Sequence, residues 1–252
     1  MNSTETVRTL SPACDDAERR ARVDLAACYR LADRFGFSEL VWNHITVRVP
    51  GPDNHFLINQ FGLRFDEVTA SNLIKIDQDG NVLSGPPDVN VTGYVLHRGV
   101  YAARREVHCV MHSHSPAGLA ISALDEGLLP VVQGAMMFYR RVGYHDYEGL
   151  STDKEESTRA AVSLGEHHAL ILRNHGLITV GETVGEAFVR MYYLEQACRA
   201  QIDALSTGRA LRLPAPSVCD KAAGQFSHFP PGKFEWPALL RLLDDREPDF
   251  RD

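Results

Sequence analysis

Apolar residues recur at helical spacing over residues 15–34, where Val23, Ala27, Leu31 and Phe35 share one face and Gly36 follows as a stop. Three short extended runs come next, over 45–49, 55–59 and 73–76, the last closed by the turn Asp77-Gln78-Asp79-Gly80. Asn90 or Thr92 is placed to cap a helix running to Arg104, with Tyr94, Val95, Leu96, Val100 and Tyr101 as its apolar positions. A strand over 107–111, a helix over 116–124, a strand over 141–144 and a helix over 157–164 follow. The apolar runs 169–172 and 177–180 flank Asn174-His175-Gly176 and read as a hairpin. Thr183 with Glu186 forms a capping box that opens a long helix through Ala204, ended before Gly208.

Strands mixed with helices, without regular βαβ spacing, predict one α/β domain over 1–210 with a mixed, largely antiparallel sheet. Beyond it, Pro214, Pro216, Pro230 and Pro231 predict an irregular C-terminal tail over 211–252.

Composition narrows the function classes. The chain has 252 residues and a net charge of -7, which argues against a basic surface for nucleic acid or anionic membrane. No apolar stretch reaches membrane-spanning length, and residues 1–10 lack the hydrophobic stretch of a signal peptide. The five cysteines are dispersed without a CxxC pair, as expected of reduced thiols in a cytoplasmic protein.

The chemistry concentrates in Val110-Met111-His112-Ser113-His114-Ser115-Pro116 and Arg173-Asn174-His175-Gly176. Histidines at i and i+2 after an apolar run share one face of an extended strand. A third imidazole in the hairpin turn can complete a three-nitrogen site for Zn, Mn, Co or Fe(II), with positions left open for substrate.

These two motifs, together with Trp42-Asn43-His44-Ile45-Thr46-Val47-Arg48, Ile58-Asn59-Gln60-Phe61-Gly62, Phe65-Asp66-Glu67-Val68 and the block 172–195, resemble the class II aldolase/adducin family. The resemblance covers roughly residues 15–205. It implies a three-layer α/β/α domain, one divalent transition metal held by His112, His114 and His175, a small-molecule substrate and a homotetramer. It also implies a substrate pocket near His44, Gln60, Gly62, Arg64 and Thr92.

One departure bears on the reaction. Sugar-phosphate aldolases of that family carry an acid/base glutamate four residues before a helical histidine, and counting back from His97 lands on Gly93. Their phosphate pocket has an Asn at the position of His44, a Thr-Gly pair at Phe61-Gly62 and a Ser-Ser pair at Val91-Thr92. A phosphorylated sugar would lose charge-assisted hydrogen bonds worth about 1.5–3 kcal/mol each. Replacement acids are sought in His44 and in the run Tyr144-His145-Asp146-Tyr147-Glu148, where Tyr144 is the candidate and a solvated loop the bland alternative. Arg64 suits a substrate carboxylate or a surface ion pair. His97 reads as a packed histidine, Met136-Met137-Phe138 as core or pocket wall, and His167-His168 as an exposed loop.

Three functions are therefore expected, in this order. The first is a metal-dependent carbon–carbon lyase acting on a non-phosphorylated hydroxy or oxo acid, aromatic substrates included, with decarboxylation favoured over aldol cleavage. The second is a non-haem Fe(II) oxygenase on the same scaffold, and the third a non-catalytic adducin-like scaffold protein.

Overall fold

A computed structural model describes residues 14–51, 54–151 and 154–252. Helix α1 (Asp16–Arg34) is capped by Asp15, whose carboxylate accepts from the Glu18 amide at 2.7 Å. Four strands follow: β1 (His44–Arg48), β2 (Phe56–Ile58), β3 (Ile74–Ile76) and β4 (Val82–Ser84). Then come α2 (Val91–Ala103), β5 (Cys109–Ser113), α3 (Pro116–Ser122), β6 (Val142–His145) and α4 (Lys154–Leu164). The hairpin strands are β7 (Ala169–Leu172) and β8 (Gly176–Gly181), and α5 (Val184–Ser206) is the long helix.

The eight strands form one sheet in the order β4-β3-β2-β1-β5-β8-β7-β6. Every pairing is antiparallel except β6 with β7, so the expected mixed, largely antiparallel sheet is present. Strand side chains alternate between two apolar clusters. Ile45, Val47, Cys109, Met111, Ile171 and Leu177 pack towards α1 and α5. Val110, Leu170, Leu172, Ile178 and Val180 pack with Tyr94, Leu96, Val100, Ala160 and Leu164 of α2 and α4. Helices thus cover both faces, and the layers are three.

The segment after residue 210 departs from expectation. It holds α6 (Pro216–Phe226), α7 (Glu235–Arg246) and a closing 3-10 turn, Pro248–Arg251. Pro216 stands in the first turn of α6, where proline starts a helix because its missing N–H would have no partner there. The prolines that suggested irregularity therefore include a helix-opening one. Helix α7 packs on α1 and α5, and Leu243 and Phe250 are fully buried in the main core. Arg30 of α1 donates to Asp249 at 2.7 Å, and the Ala70 amide donates to the Phe250 carbonyl at 3.0 Å.

Two smaller differences have local causes. β4 was missed because it is a short, mostly exposed edge strand without alternation. At α5 the cap is only half of the expected box. The Glu186 amide donates to Thr183 Oγ1, but the Glu186 carboxylate accepts from the Glu182 amide rather than from Thr183.

Candidate metal centre and its cavity

The three histidines converge. His112 stands on β5 facing α2, and β5 lies between β1 and β8, with His112 opposite His44 on one side and Ile178 on the other. His114 follows where the strand ends, and its position is fixed from the next helix. The buried Glu195 carboxylate of α5 accepts from Ser115 Oγ at 2.5 Å and from the Gly118 amide at 2.9 Å, capping the start of α3. His175 sits in the β7–β8 turn, between Asn174 with φ 55° and Gly176 with φ 150°. A Cβ at Gly176 would lie 2.6 Å from the Ser113 carbonyl oxygen. Only glycine lets this turn close on β5.

One ligand atom from each of His112, His114 and His175 falls within 4.8 Å of the others. Their surroundings suit a cation. His112 Nδ1 lies 3.0 Å from the Leu177 carbonyl oxygen, so it carries the proton, and His114 Nδ1 is held by the Glu39 carboxylate. Both Nε2 lone pairs then face each other at 2.9 Å, an arrangement that a bound metal ion relieves. Burial holds the His112 imidazole well below the usual histidine range, and burial with the neighbouring His114 takes His175 down to about 4. Neutral imidazoles are the form that ligates metal.

The trio opens on a cavity of about 540 Å3, also lined by Glu39, Trp42, His44, Leu96, Tyr147 and Leu150. The His44 and His112 ring centroids are 4.9 Å apart. His44 Nδ1 meets His97 Nε2 at 3.1 Å, His97 Nδ1 meets Thr46 Oγ1 at 2.7 Å, and Thr46 Oγ1 meets the Tyr101 hydroxyl at 2.9 Å. The Tyr101 hydroxyl donates to the Thr46 carbonyl at 2.9 Å, so Thr46 Oγ1 donates to Tyr101 and accepts from His97 Nδ1, and His97 Nε2 accepts from His44 Nδ1. His44 Nε2 is left as an acceptor facing the cavity. Burial keeps both His44 and His97 well below the ordinary histidine range. The His44 ring also explains Gly93: a Cβ there would lie 2.4 Å from His44 Cδ2.

Comparison with known proteins decides the lineage. Residues 23–202 match the model of the class II aldolase and adducin N-terminal domain. The chain belongs to the class II aldolase/adducin family. A Caulobacter vibrioides protein with a provisional class 2 aldolase name is 43% identical over 97% of this chain and 96% of its own. Alpha-adducin of Rattus norvegicus is 42% identical over 93% of this chain, which corresponds to 34% of that longer protein. Among solved structures, an aldolase II superfamily protein from Pseudomonas syringae superposes with a TM-score of 0.90 at 44% identity, covering 94% of this chain and 97% of that one. An L-fuculose 1-phosphate aldolase from Glaciozyma antarctica PI12 gives 0.85 at 29%, covering 97% and 96%.

Within this class II aldolase-type domain, several expected site residues are not at the cavity. Tyr144 points to the other face of the sheet, where its hydroxyl accepts from the Leu128 amide at 3.0 Å and its ring lies under Arg173. Strand alternation sends it away, and Tyr147, beyond the strand end, lines the cavity instead, its ring 6.4 Å from His175. Arg64 is a surface residue, bonded to Asp66 through two nitrogens. Gln60 and Gly62 belong to a turn outside the cavity lining, and the Phe61 ring between them packs at a tilt against Trp42, 5.5 Å between centroids. Thr92 falls in the first turn of α2, and its side chain lies outside the described residues. Glu39, Trp42 and Leu150 were missed. They come from irregular segments, where no periodicity marks a residue as facing inward.

Proposed function

We propose that this protein is a metal-dependent carbon–carbon lyase for a small, non-phosphorylated hydroxy or oxo acid, with decarboxylation as its main reaction. The observation that carries the reading is the cavity itself. Three convergent imidazoles stand beside Trp42, Leu96, Tyr147 and Leu150, and no arginine or lysine lines it among the described residues. A sugar phosphate of the kind named for the Glaciozyma relative would find no cation there. An aromatic or short aliphatic acid would find apolar surface to pack against in Trp42, Leu96, Tyr147 and Leu150.

A divalent metal on His112, His114 and His175 (Zn, Mn, Co or Fe) would supply Lewis acidity towards a hydroxyl or oxo oxygen and its neighbouring carboxylate. Gly93 removes the carboxylate that aldol chemistry needs to take a proton from carbon. Loss of carbon dioxide needs no such step. The carbon left with the electron pair then takes a proton, which water or the hydroxyl of Tyr147 on the cavity wall would give, while His44 Nε2 would accept a hydrogen bond from the substrate. The His97–Thr46–Tyr101 column fixes the His44 ring and sets which of its nitrogens carries hydrogen.

The test is carbon dioxide release from a panel of hydroxy-aromatic and oxo acids by protein loaded with Mn, Zn or Co. Release that disappears in His175→Ala supports the lyase. Silence across the panel, with metal bound, refutes it. Oxygen uptake by the Fe(II)-loaded protein would move the assignment to an oxygenase. A second reading, an adducin-like binding module, is favoured by the 42% identity to alpha-adducin. It predicts that His112→Ala/His114→Ala keeps every protein partner. We assign a homotetramer on the family resemblance and a cytoplasmic location on the dispersed, unpaired cysteines. No helix among the described residues is long and apolar enough to cross a membrane.

A further inference from the structure

At the far end of β1 from His44, a second cleft of about 610 Å3 opens between β1, β2 and α2. Its character is opposite to that of the metal cavity. Arg48, Arg98, Arg105 and His108 all line it, on a protein whose net charge is -7. Arg48 is held rigidly. It stacks over the Phe56 and Tyr101 rings at 5.2 and 5.0 Å, donates to Asn54 Oδ1 at 2.9 Å, and donates to the Tyr101 carbonyl at 3.1 Å. A stacked guanidinium of this kind is pre-organised, so little freedom is lost when an anion docks on it. Arg98 reaches only the exposed Asp79, at 3.2 Å, and Arg105 has no ion-pair partner among the described residues.

An independent observation points to a ligand. Tyr94 lines the same cleft and is 3% exposed, yet its hydroxyl has no hydrogen-bond partner. Buried hydroxyls are nearly always satisfied, and this one is left open in the field of Arg98 and Arg48. Burial raises the Tyr94 phenol well above its ordinary value, so it stays protonated and able to donate.

We propose that this cleft binds a small phosphate-bearing molecule, a diphosphate or a similarly charged pair of phosphates, bridged by Arg48, Arg98 and Arg105 with the Tyr94 hydroxyl donating to it. Planar guanidinium forks match phosphate oxygens two at a time, and three of them suit more charge than a single carboxylate carries. The site does not depend on the metal chemistry. The two clefts share strand β1, whose His44, Thr46 and Arg48 project to one face, and helix α2, which gives Leu96 to the metal cavity and Tyr94, Arg98 and Tyr101 to this one.

Isothermal calorimetry with inorganic pyrophosphate on the full chain tests the assignment, with citrate as a second probe. Saturable pyrophosphate binding is expected, weakened at least tenfold in Arg98→Ala/Arg105→Ala and several-fold in Tyr94→Phe. Arg105 is exposed, Arg98 is half-buried, and Tyr94→Phe removes a single hydroxyl; an unchanged melting temperature without ligand verifies that the variants fold. Absence of saturable binding overturns the proposal. So does binding of citrate but not pyrophosphate, which excludes the phosphate class. Binding that survives Arg98→Ala/Arg105→Ala but is lost in His175→Ala overturns it as well, by placing the anion on the three-histidine site.

Discussion

His44 and Gly93 are a matched pair: the imidazole occupies the space that any side chain at Gly93 would enter, 2.4 Å from where its Cβ would stand. Neither residue can change freely without the other. Gly93→Ala is expected to destabilise the protein, and His44→Ala to open a buried gap. The double variant should recover part of the loss, with a coupling of about 0.5–3 kcal/mol in a double-mutant cycle read by urea unfolding. Strict additivity would show that the two positions act independently.

Metal retention should follow the ligand set. His175→Ala and His112→Ala should each lose stoichiometric metal in elemental analysis. Glu39→Gln keeps a hydrogen-bonding partner for His114 but removes its charge, and weaker binding by about 10–100-fold is expected in chelator competition. Unchanged affinity in Glu39→Gln would mean that the carboxylate does not orient the ligand.

Acid should weaken the fold through His97. Its folded pKa lies well below the ordinary histidine value because it is fully buried, while the unfolded chain titrates near 6.5. The unfolded state therefore binds more protons below about pH 6.5, and stability falls as pH drops through that range. The urea midpoint of metal-free protein should decline from pH 7.5 to 5, with a shallower slope in His97→Gln. Imidazole NMR signals of His97 should remain those of the neutral ring at pH 5.

Glu195 is a fully buried carboxylate whose role is structural: it ties α5 to the start of α3, directly after His114. Glu195→Ala leaves the Ser115 hydroxyl and the Gly118 amide without their acceptor, which costs about 1–3 kcal/mol per buried group. The urea midpoint should fall and metal affinity with it, because His114 loses its anchor. A stable variant with weakened metal binding would make the effect purely local.

The C-terminal helices should behave as part of the core. Phe250→Ala removes a fully buried ring, and a loss of about 3–5 kcal/mol is expected from unfolding curves. A change below 1 kcal/mol would show that the closing turn is only appended.

The sequence pattern carried the elements that alternate or repeat strongly. Helices α1, α2 and α5, the central strands and the β7–β8 hairpin all stand close to where periodicity and capping residues put them. The three-histidine cluster was legible because His-x-His on a strand and a histidine between two apolar runs each imply a direction. Tyr144 shows the limit of that reasoning. Whether a residue at a strand end faces the cavity depends on which face the strand turns inward, and Tyr144 and Tyr147 differ in this. Glu39 and Trp42 were silent for another reason: they lie between α1 and β1, where only tertiary contacts set orientation. The tail was misread because proline was taken as a breaker, whereas Pro216 opens a helix.

The β5–β8 pairing carries a consequence for how the protein reaches its native state. His112 on β5 and His175 in the turn before β8 lie far apart in sequence, and their meeting requires Met111 opposite Thr179 and His112 opposite Ile178. A slip of one residue would turn His112 to the α5 side and bury an imidazole in the wrong cluster. A metal held by the three imidazoles would therefore favour the correct strand alignment: only the correctly threaded sheet presents three nitrogens together. Refolding with metal present should yield a narrower set of products than refolding without it.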